Sequence, residues 1–271
     1  MIKANYHTHL VYCNHAKGHA KDYIEVAIEA GFEELGISDH APVLECFFDN
    51  QNDQEMYCKK TCNLDKMFDY LRELKDAKEK YKKQIRVLSA FEVEYLPSNE
   101  FFIKHISKKV DYLNLGIHYF YHKGKIINTY EAMTKEELFG YAKACVDGMI
   151  TGWFKCLVHP DLYTIGYYEA GYEFDEYCEQ IARQIIESAI ENNVYLEVNA
   201  NGIRNSKRIR SDGVWLYPHR EFWKIAKEYP ELKIVIGTDA HVPEALVNQN
   251  VEDAISFVKE LGLVVSEKIK F

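Results

Sequence analysis

Six places along the chain put an imidazole or a carboxylate at the end of a short apolar run. They are His7 with His9, Asp39 with His40, Glu92 with Glu94, His118, His159 with Asp161, and Asp239 with His241. Imidazole nitrogen and carboxylate oxygen together suit a divalent Zn, Fe or Mn ion, and ligand type alone does not choose among the three. In His7-Thr8-His9 the two imidazoles are spaced by two residues, so on an extended backbone they project from one face and can reach one ion. Asp239-Ala240-His241 repeats that spacing with a carboxylate and an imidazole. A single H-x-H is a weak signal, and a lone His118 or His159 is more often a hydrogen-bonded structural residue than a ligand. The recurrence changes that reading, because histidines serving only a core have no reason to choose one end of each run.

The elements that would carry these residues alternate. Strand-like runs span 2–7, 34–40, 85–96, 110–118, 155–162, 194–202 and 233–241. Helical patterns lie between them at 22–31, 64–81, 134–149, 176–193 and 220–229. Seven strands alternating with helices predict an α/β fold built on a parallel sheet or barrel. In such barrels the loops after the strands converge on the axis, so polar residues at C-terminal strand ends read as a site. The stretch from about Pro42 to Asn63 has no clear periodicity and reads as a long loop, a common form for lids and binding loops.

Composition narrows the function classes. At 271 residues, with no Gly-, Ser- or Pro-rich linker, the chain fits one barrel domain over 1–271. A formal charge of −9 argues against gripping a nucleic-acid backbone, yet leaves room for a small anion whose charge bound metal would offset. No apolar stretch is long enough to span a membrane, and the N-terminus lacks the apolar segment of a signal peptide, so a cytoplasmic protein is expected. The 7 cysteines form no C-x-x-C pair and read as reduced packing residues; Cys58 and Cys62 have the spacing that a helix would set one turn apart, a weak metal signal.

The segments YHTHLVYCNHA (6–16), LGISDHAP (35–42), AFEVEYLP (90–97), LGIHYF (115–120), VHPDLY (158–163), EVNANGIR (197–204) and GTDAH (237–241) resemble the polymerase and histidinol phosphatase (PHP) family, in its histidinol-phosphatase branch. The resemblance runs through nearly the whole chain in order and implies a distorted (β/α)7 TIM-like barrel of PHP type. It also implies a site for three divalent ions. His7, His9, Glu92 and Asp239 would hold the first; Glu92 would bridge to a second, completed by His118 and His159; His15, His40 and His241 would hold the third. Residue chemistry alone leaves Glu92 and Glu94 equivalent, since they share a strand face. The family pattern selects Glu92, although Ala90 stands where the family usually has glycine. His19 likewise departs from the usual threonine.

That resemblance implies a phosphomonoesterase acting on L-histidinol phosphate in histidine biosynthesis, through hydroxide bridging two ions. Asp161 is placed to protonate the departing alkoxide or orient a water, with an N-cap after Pro160 as the structural alternative. Asp39 is a candidate for orienting a ligand imidazole. Arg204 matches a substrate-contacting arginine of the family, and a guanidinium can grip phosphate through paired hydrogen bonds. Lys207, Arg208 and Arg210 read as a solvated basic loop; His105, His122 and His219 read as surface or structural residues. Competing readings are a phosphotyrosine-protein phosphatase or other small-molecule phosphoesterase, a phosphodiesterase, and a non-catalytic metal-binding barrel.

Overall fold

A computed structural model describes residues 2–42, 63–203, 210 and 212–271. Among these, β1 (Ala4–Asn5), β2 (Glu34–Ile37), β3 (Arg86–Val93), β4 (Tyr112–Leu115), β7 (Cys156–Leu157), β8 (Tyr195–Asn199) and β9 (Ile234–Gly237) form one sheet in that order. Neighbouring strands pair in parallel throughout. The sheet curls into a nearly closed barrel. A parallel bridge between Thr8 and Ala240, with His9 N–H donating to the Ala240 carbonyl at 2.9 Å, joins its first and last strands at their C-terminal ends. A second bridge, His40 to Glu92, prolongs the β2–β3 pairing in the same direction. Ligand candidates are therefore fixed by sheet-like hydrogen bonds rather than by free loops.

All seven sequence-predicted strands appear, and so do the five helices α1 (Ala20–Glu29), α2 (Leu64–Tyr81), α4 (Lys135–Ile150), α6 (Glu176–Glu191) and α7 (Arg220–Ala226). The local reasons are legible. Asp175 caps α6 by accepting from the backbone N–H of Tyr177 and Cys178, and Cys178, Ile181, Ala182, Ile185, Ile186 and Ala189 bury one stripe of it. Thr134 and Glu137 form a reciprocal capping box on α4. The sequence reading did not anticipate α3 (Glu100–Ile106), α5 (Tyr163–Glu169), α8 (Gln249–Leu261) or the antiparallel hairpin of β5 (Tyr119–His122) and β6 (Lys125–Asn128).

The period of two along each strand separates two cores. Leu35, Ile37, Phe91, Leu113, Leu115, Leu196 and Val198 face the helices. Ala4, Tyr6, Leu88, Ala90, Tyr112, Cys156, Tyr195, Val235 and Ile269 form a second cluster on the opposite strand faces. Glu92 on β3 and Glu197 on β8 share the parity of this inner set and lie toward its C-terminal end. The apolar inner layer thus forms a floor beneath the polar one. Cys13, Cys145, Cys156 and Cys178 are free and buried, as packing residues should be; Cys46, Cys58 and Cys62 lie outside the described residues.

Candidate metal centre

Glu92 is the hub. Its Oε2 lies 3.4 Å from His7 Nε2, 3.4 Å from His9 Nε2 and 3.2 Å from His40 Nδ1. Its Oε1 lies 2.9 Å from His159 Nε2 and 3.6 Å from His118 Nε2. Asp239 Oδ1 is 3.1 Å from His9 Nε2 and 3.5 Å from His7 Nε2, and His241 Nδ1 stands 3.4 Å from it. His15 reaches the group from the turn after the 3-10 segment Val11–Cys13, its Nε2 3.0 Å from His241 Nε2. All nine sequence-predicted ligands therefore come together. Overlapping triads of potential ligand atoms are His7, His9 and Glu92; His7, His159 and Asp239; His40, Glu92 and His118; His9, His40 and His241; and, behind His9, His9, Cys13 and Asp39.

Glu92 and Glu94, equivalent in the sequence, part company here. Glu94 turns outward to take the His118 Nδ1 proton at 2.6 Å and the His118 backbone N–H at 2.9 Å. It orients an imidazole while Glu92 occupies the centre. Glu197, which the sequence reading did not single out, does the same for His7. With its proton on Nδ1, His7 donates to the two Glu197 oxygens at 2.9 and 3.1 Å, leaving the Nε2 lone pair facing the cluster. Asp39 Oδ1 stands 3.4 Å from His9 Nδ1, the orienting position expected of it. Asn199 and Asn201 donate to Asp239 Oδ2 at 3.3 and 3.1 Å, so that Oδ1 is the oxygen turned to the imidazoles. The signal for Glu197, Asn199 and Asn201 was present in EVNAN as polar residues at alternate positions of an otherwise apolar strand.

The backbone is bent to the purpose. His159 and Asp239 both adopt left-handed φ, 35° and 46°, a conformation that costs a non-glycine residue free energy and gathers at functional sites. Two glycines are required by close approach. A Cβ on Gly116 would stand 2.2 Å from Glu92 Oε1, and one on Gly237 would stand 1.6 Å from Glu197 Oε1.

The electrostatics suit cations. Burial works against charge on Glu92, yet the imidazoles of His40, His118 and His7 hold its carboxyl well below the usual carboxylate range. Burial likewise disfavours a charged His7, but Glu197, Asp239 and Glu92 outweigh it and lift its pKa to about 10. The same carboxylates that favour charge on His7 would favour a metal cation at its Nε2 instead. At the rim the balance reverses: burial, then the neighbouring His9, pushes His241 down to about 3. His15 and His241 direct Nδ1 to the carbonyls of Cys13 and Asp239 at 2.9 and 3.0 Å, so their Nε2 lone pairs face each other at 3.0 Å. His7 Nε2 and His9 Nε2 face each other at 3.1 Å. Two ligand nitrogens around one tetrahedral ion with bonds of about 2.0–2.1 Å stand about 3.3 Å apart, so the donor set fits divalent metal.

Asp161 is fully buried and is not an N-cap. Its Oδ2 accepts from the His219 backbone N–H at 2.6 Å and from Trp223 Nε1–H at 3.0 Å. Its Oδ1 has no hydrogen-bond partner among the described residues, and burial raises its pKa to about 7. His219 is structural: it caps α7 and stacks on Phe174. His19 caps α1 and lies 3.0 Å from Glu73. Arg210, expected in a solvated loop, instead pairs with Glu173 and Asp212 and lies over the Tyr168 ring. Arg204, Lys207 and Arg208 lie outside the described residues, as does nearly all of the 42–63 stretch.

The family model for the PHP domain matches residues 5–201. The chain belongs to the PHP family. Asp239 and His241 lie beyond the matched span, and it is barrel closure that returns them to His7 and His9. Among curated relatives, the histidinol-phosphatase of Bacillus subtilis is 20% identical over 264 residues, covering 89% of this chain and 94% of its own. Among solved structures, HisK of Listeria monocytogenes superposes with a TM-score of 0.77 at 19% identity, over 91% of this chain and 98% of its own. The histidinol phosphate phosphatase of Lactococcus lactis, crystallised with zinc, L-histidinol and phosphate, superposes with a TM-score of 0.71 at 17% identity, over 99% of each chain. These PHP structures share the barrel. Among the described residues of this PHP chain, no helix is long and apolar enough to cross a membrane.

Proposed function

We propose that this protein is a metal-dependent phosphomonoesterase that hydrolyses L-histidinol phosphate to L-histidinol and phosphate. The observation that carries the reading is the convergence of His7, His9, His15, His40, His118, His159 and His241 on the carboxylates of Glu92 and Asp239. Kinship with proteins named histidinol-phosphatase supplies the substrate. His7, His9, Glu92 and Asp239 would hold one ion, Glu92, His118 and His159 a second, and His15, His40 and His241 a third. Bound divalent ions lower the pKa of water and offset charge on phosphoryl oxygens.

The protein's own residues do the rest. Glu197, Glu94 and Asp39 hold imidazoles in the orientation that presents Nε2 inward. The apolar floor beneath keeps the site from opening to solvent below. Asp161 is assigned to the departing group: Trp223 and the His219 N–H pin one oxygen, and a carboxyl lifted to about 7 can hold a proton near neutrality and release it to an alkoxide. Arg204 is assigned to the phosphoryl oxygens. On this reading the enzyme works as one barrel domain in the cytoplasm, in histidine biosynthesis, on a small phosphate monoester and without a nucleic-acid or membrane partner.

The test is phosphate release by metal-replete protein from histidinol phosphate, a phosphotyrosyl peptide and an oligonucleotide in parallel. Preferred turnover of histidinol phosphate supports the assignment. Preference for the peptide or oligonucleotide replaces it with the corresponding phosphatase or phosphodiesterase. No turnover of any of them leaves a non-catalytic metal-binding barrel.

A further inference from the structure

We infer that the centre is graded, with the ion at His15, His40 and His241 readily exchangeable and the ions around Glu92 and Asp239 retained. The inference rests on the three-ion reading above and adds to it an order of release.

Three separate observations carry it. The first is what stands behind each imidazole. His7 and His118 each give their outward Nδ1 proton to a buried carboxylate, Glu197 at 2.9 Å and Glu94 at 2.6 Å. A carboxylate partner raises the basicity of an imidazole and fixes its ring, and removing such a partner typically weakens metal binding about 10- to 100-fold. His15 and His241 give theirs to backbone carbonyls, those of Cys13 and Asp239. A neutral carbonyl orients the ring but contributes no charge. His9 and His159 are the exceptions within the inner group: neither Nδ1 has a hydrogen-bond partner among the described residues, although Asp39 Oδ1 stands 3.4 Å from that of His9.

The second observation is charge among the direct ligands. Each inner set contains Glu92 or Asp239, whereas the rim set of His15, His40 and His241 is three imidazoles. Carboxylate reaches this set only at its edge: His40 Nδ1 lies 3.2 Å from Glu92 Oε2, and His241 Nδ1 lies 3.4 Å from Asp239 Oδ1 through the nitrogen that faces away from His15. A dication held directly by neutral donors, with carboxylate charge only beyond them, gains less electrostatically than one that a carboxylate ligates.

The third is access. His7, His9, Glu92 and His159 are buried to within 2% of complete, His118 and His40 are alike at 13%, and at the outer end the His241 side chain is 25% exposed and His15 is exposed. Water and chelators can reach the rim ion first, and its field is screened by solvent. His15 also sits on a turn whose preceding residue, Asn14, is left-handed (φ 68°), rather than on a sheet strand. A site that loses its rim ion keeps the buried pair assembled, so the state of the enzyme would follow the ambient concentration of free divalent metal.

The experiment counts ions. Zinc-loaded protein is dialysed against stepwise increasing citrate and then EDTA, with bound zinc measured by mass spectrometry and unfolding followed by calorimetry at each step. One equivalent is expected to leave at a chelator strength at least about tenfold below that needed for the others, with little change in Tm. His15→Ala should lack that first equivalent and release the remainder where the parent does. Glu197→Gln should leave the first release unchanged and move the later one about 10- to 100-fold toward it. Three equivalents released together, or His15→Ala losing the resistant ions, would overturn the grading while leaving the phosphatase reading intact. Failure to bind zinc at all would remove both.

Discussion

Replacing Glu92 by glutamine keeps side-chain volume and hydrogen-bonding capacity and removes one negative charge from the centre of the site. Five imidazoles stand within 3.6 Å of this carboxylate, and both oxygens are in use. A unit charge at about 4 Å from another, in an effective dielectric near 20, is worth about 4 kcal/mol. At 1.4 kcal/mol per factor of ten, the loss is about a thousandfold in ion affinity, in kcat/KM, or shared between them. Because Glu92 would serve two ions, the bound count should fall as well. The folded pKa of Glu92 lies below its ordinary value, so its charge stabilises the metal-free fold at neutral pH, and that contribution is lost only in acid as the carboxyl protonates. The metal-free variant should therefore melt somewhat below the metal-free parent at pH 7, while remaining folded. Glu94→Gln is the matched control: it disturbs the orientation of His118 and the backbone N–H groups of His118 and Tyr119 without touching the centre, and should cost about 10- to 100-fold. The assay is phosphate release from histidinol phosphate beside metal analysis and circular dichroism. Near-parental activity and ion count in Glu92→Gln, with collapse in Glu94→Gln, would refute the assignment of Glu92 as the hub.

Exhaustive chelation should abolish phosphate release and lower Tm, and readdition of zinc or manganese should restore both; ligand at about a thousand times its Kd is worth about 4 kcal/mol of folding stability, readable by calorimetry. Gly116→Ala places a Cβ 2.2 Å from Glu92 Oε1 and should displace that carboxylate, costing about 1–3 kcal/mol of stability together with bound metal, as measured by denaturant titration and metal analysis. Trp223→Phe removes the indole N–H that pins Asp161 and should lower kcat more than it raises KM, with ion content unchanged; steady-state kinetics decides, and an unchanged kcat would argue against Asp161 as proton donor. Arg204→Ala should cost about 2–4 kcal/mol in kcat/KM and weaken inhibition by inorganic phosphate, with Arg204→Lys recovering only part, because an ammonium cannot reproduce the planar fork.

The alternation of apolar runs and helical patterns, and the recurrence of His, Asp and Glu at the ends of those runs, determined much of this protein in one dimension. Strand period and helix period are local properties, so seven strands and five helices were legible without neighbours. Their parallel order followed because five of the six crossovers carry a legible helix; the short α3 between β3 and β4 was not legible. The H-x-H and D-x-H spacings told that two side chains leave one face, since that too is local geometry. Tertiary structure decided what depends on residues far apart in the chain. Glu92 and Glu94 differ only because β3 continues into the His40 bridge while Glu94 meets the segment bearing His118. Glu197 acts on His7 across 190 positions, and no spacing rule reaches that far. In the sequence Asp161 reads either as a proton donor or as a helix cap, and His219 and Trp223, brought by the loop before α7 and by α7 itself, claim its oxygen in place of a cap. Left-handed backbone at His159 and Asp239 carries no residue signature, because neither is glycine and the surrounding barrel imposes the conformation. Side-chain chemistry is thus written in the sequence, whereas which of two equivalent carboxylates faces the ions is settled by closure of the barrel.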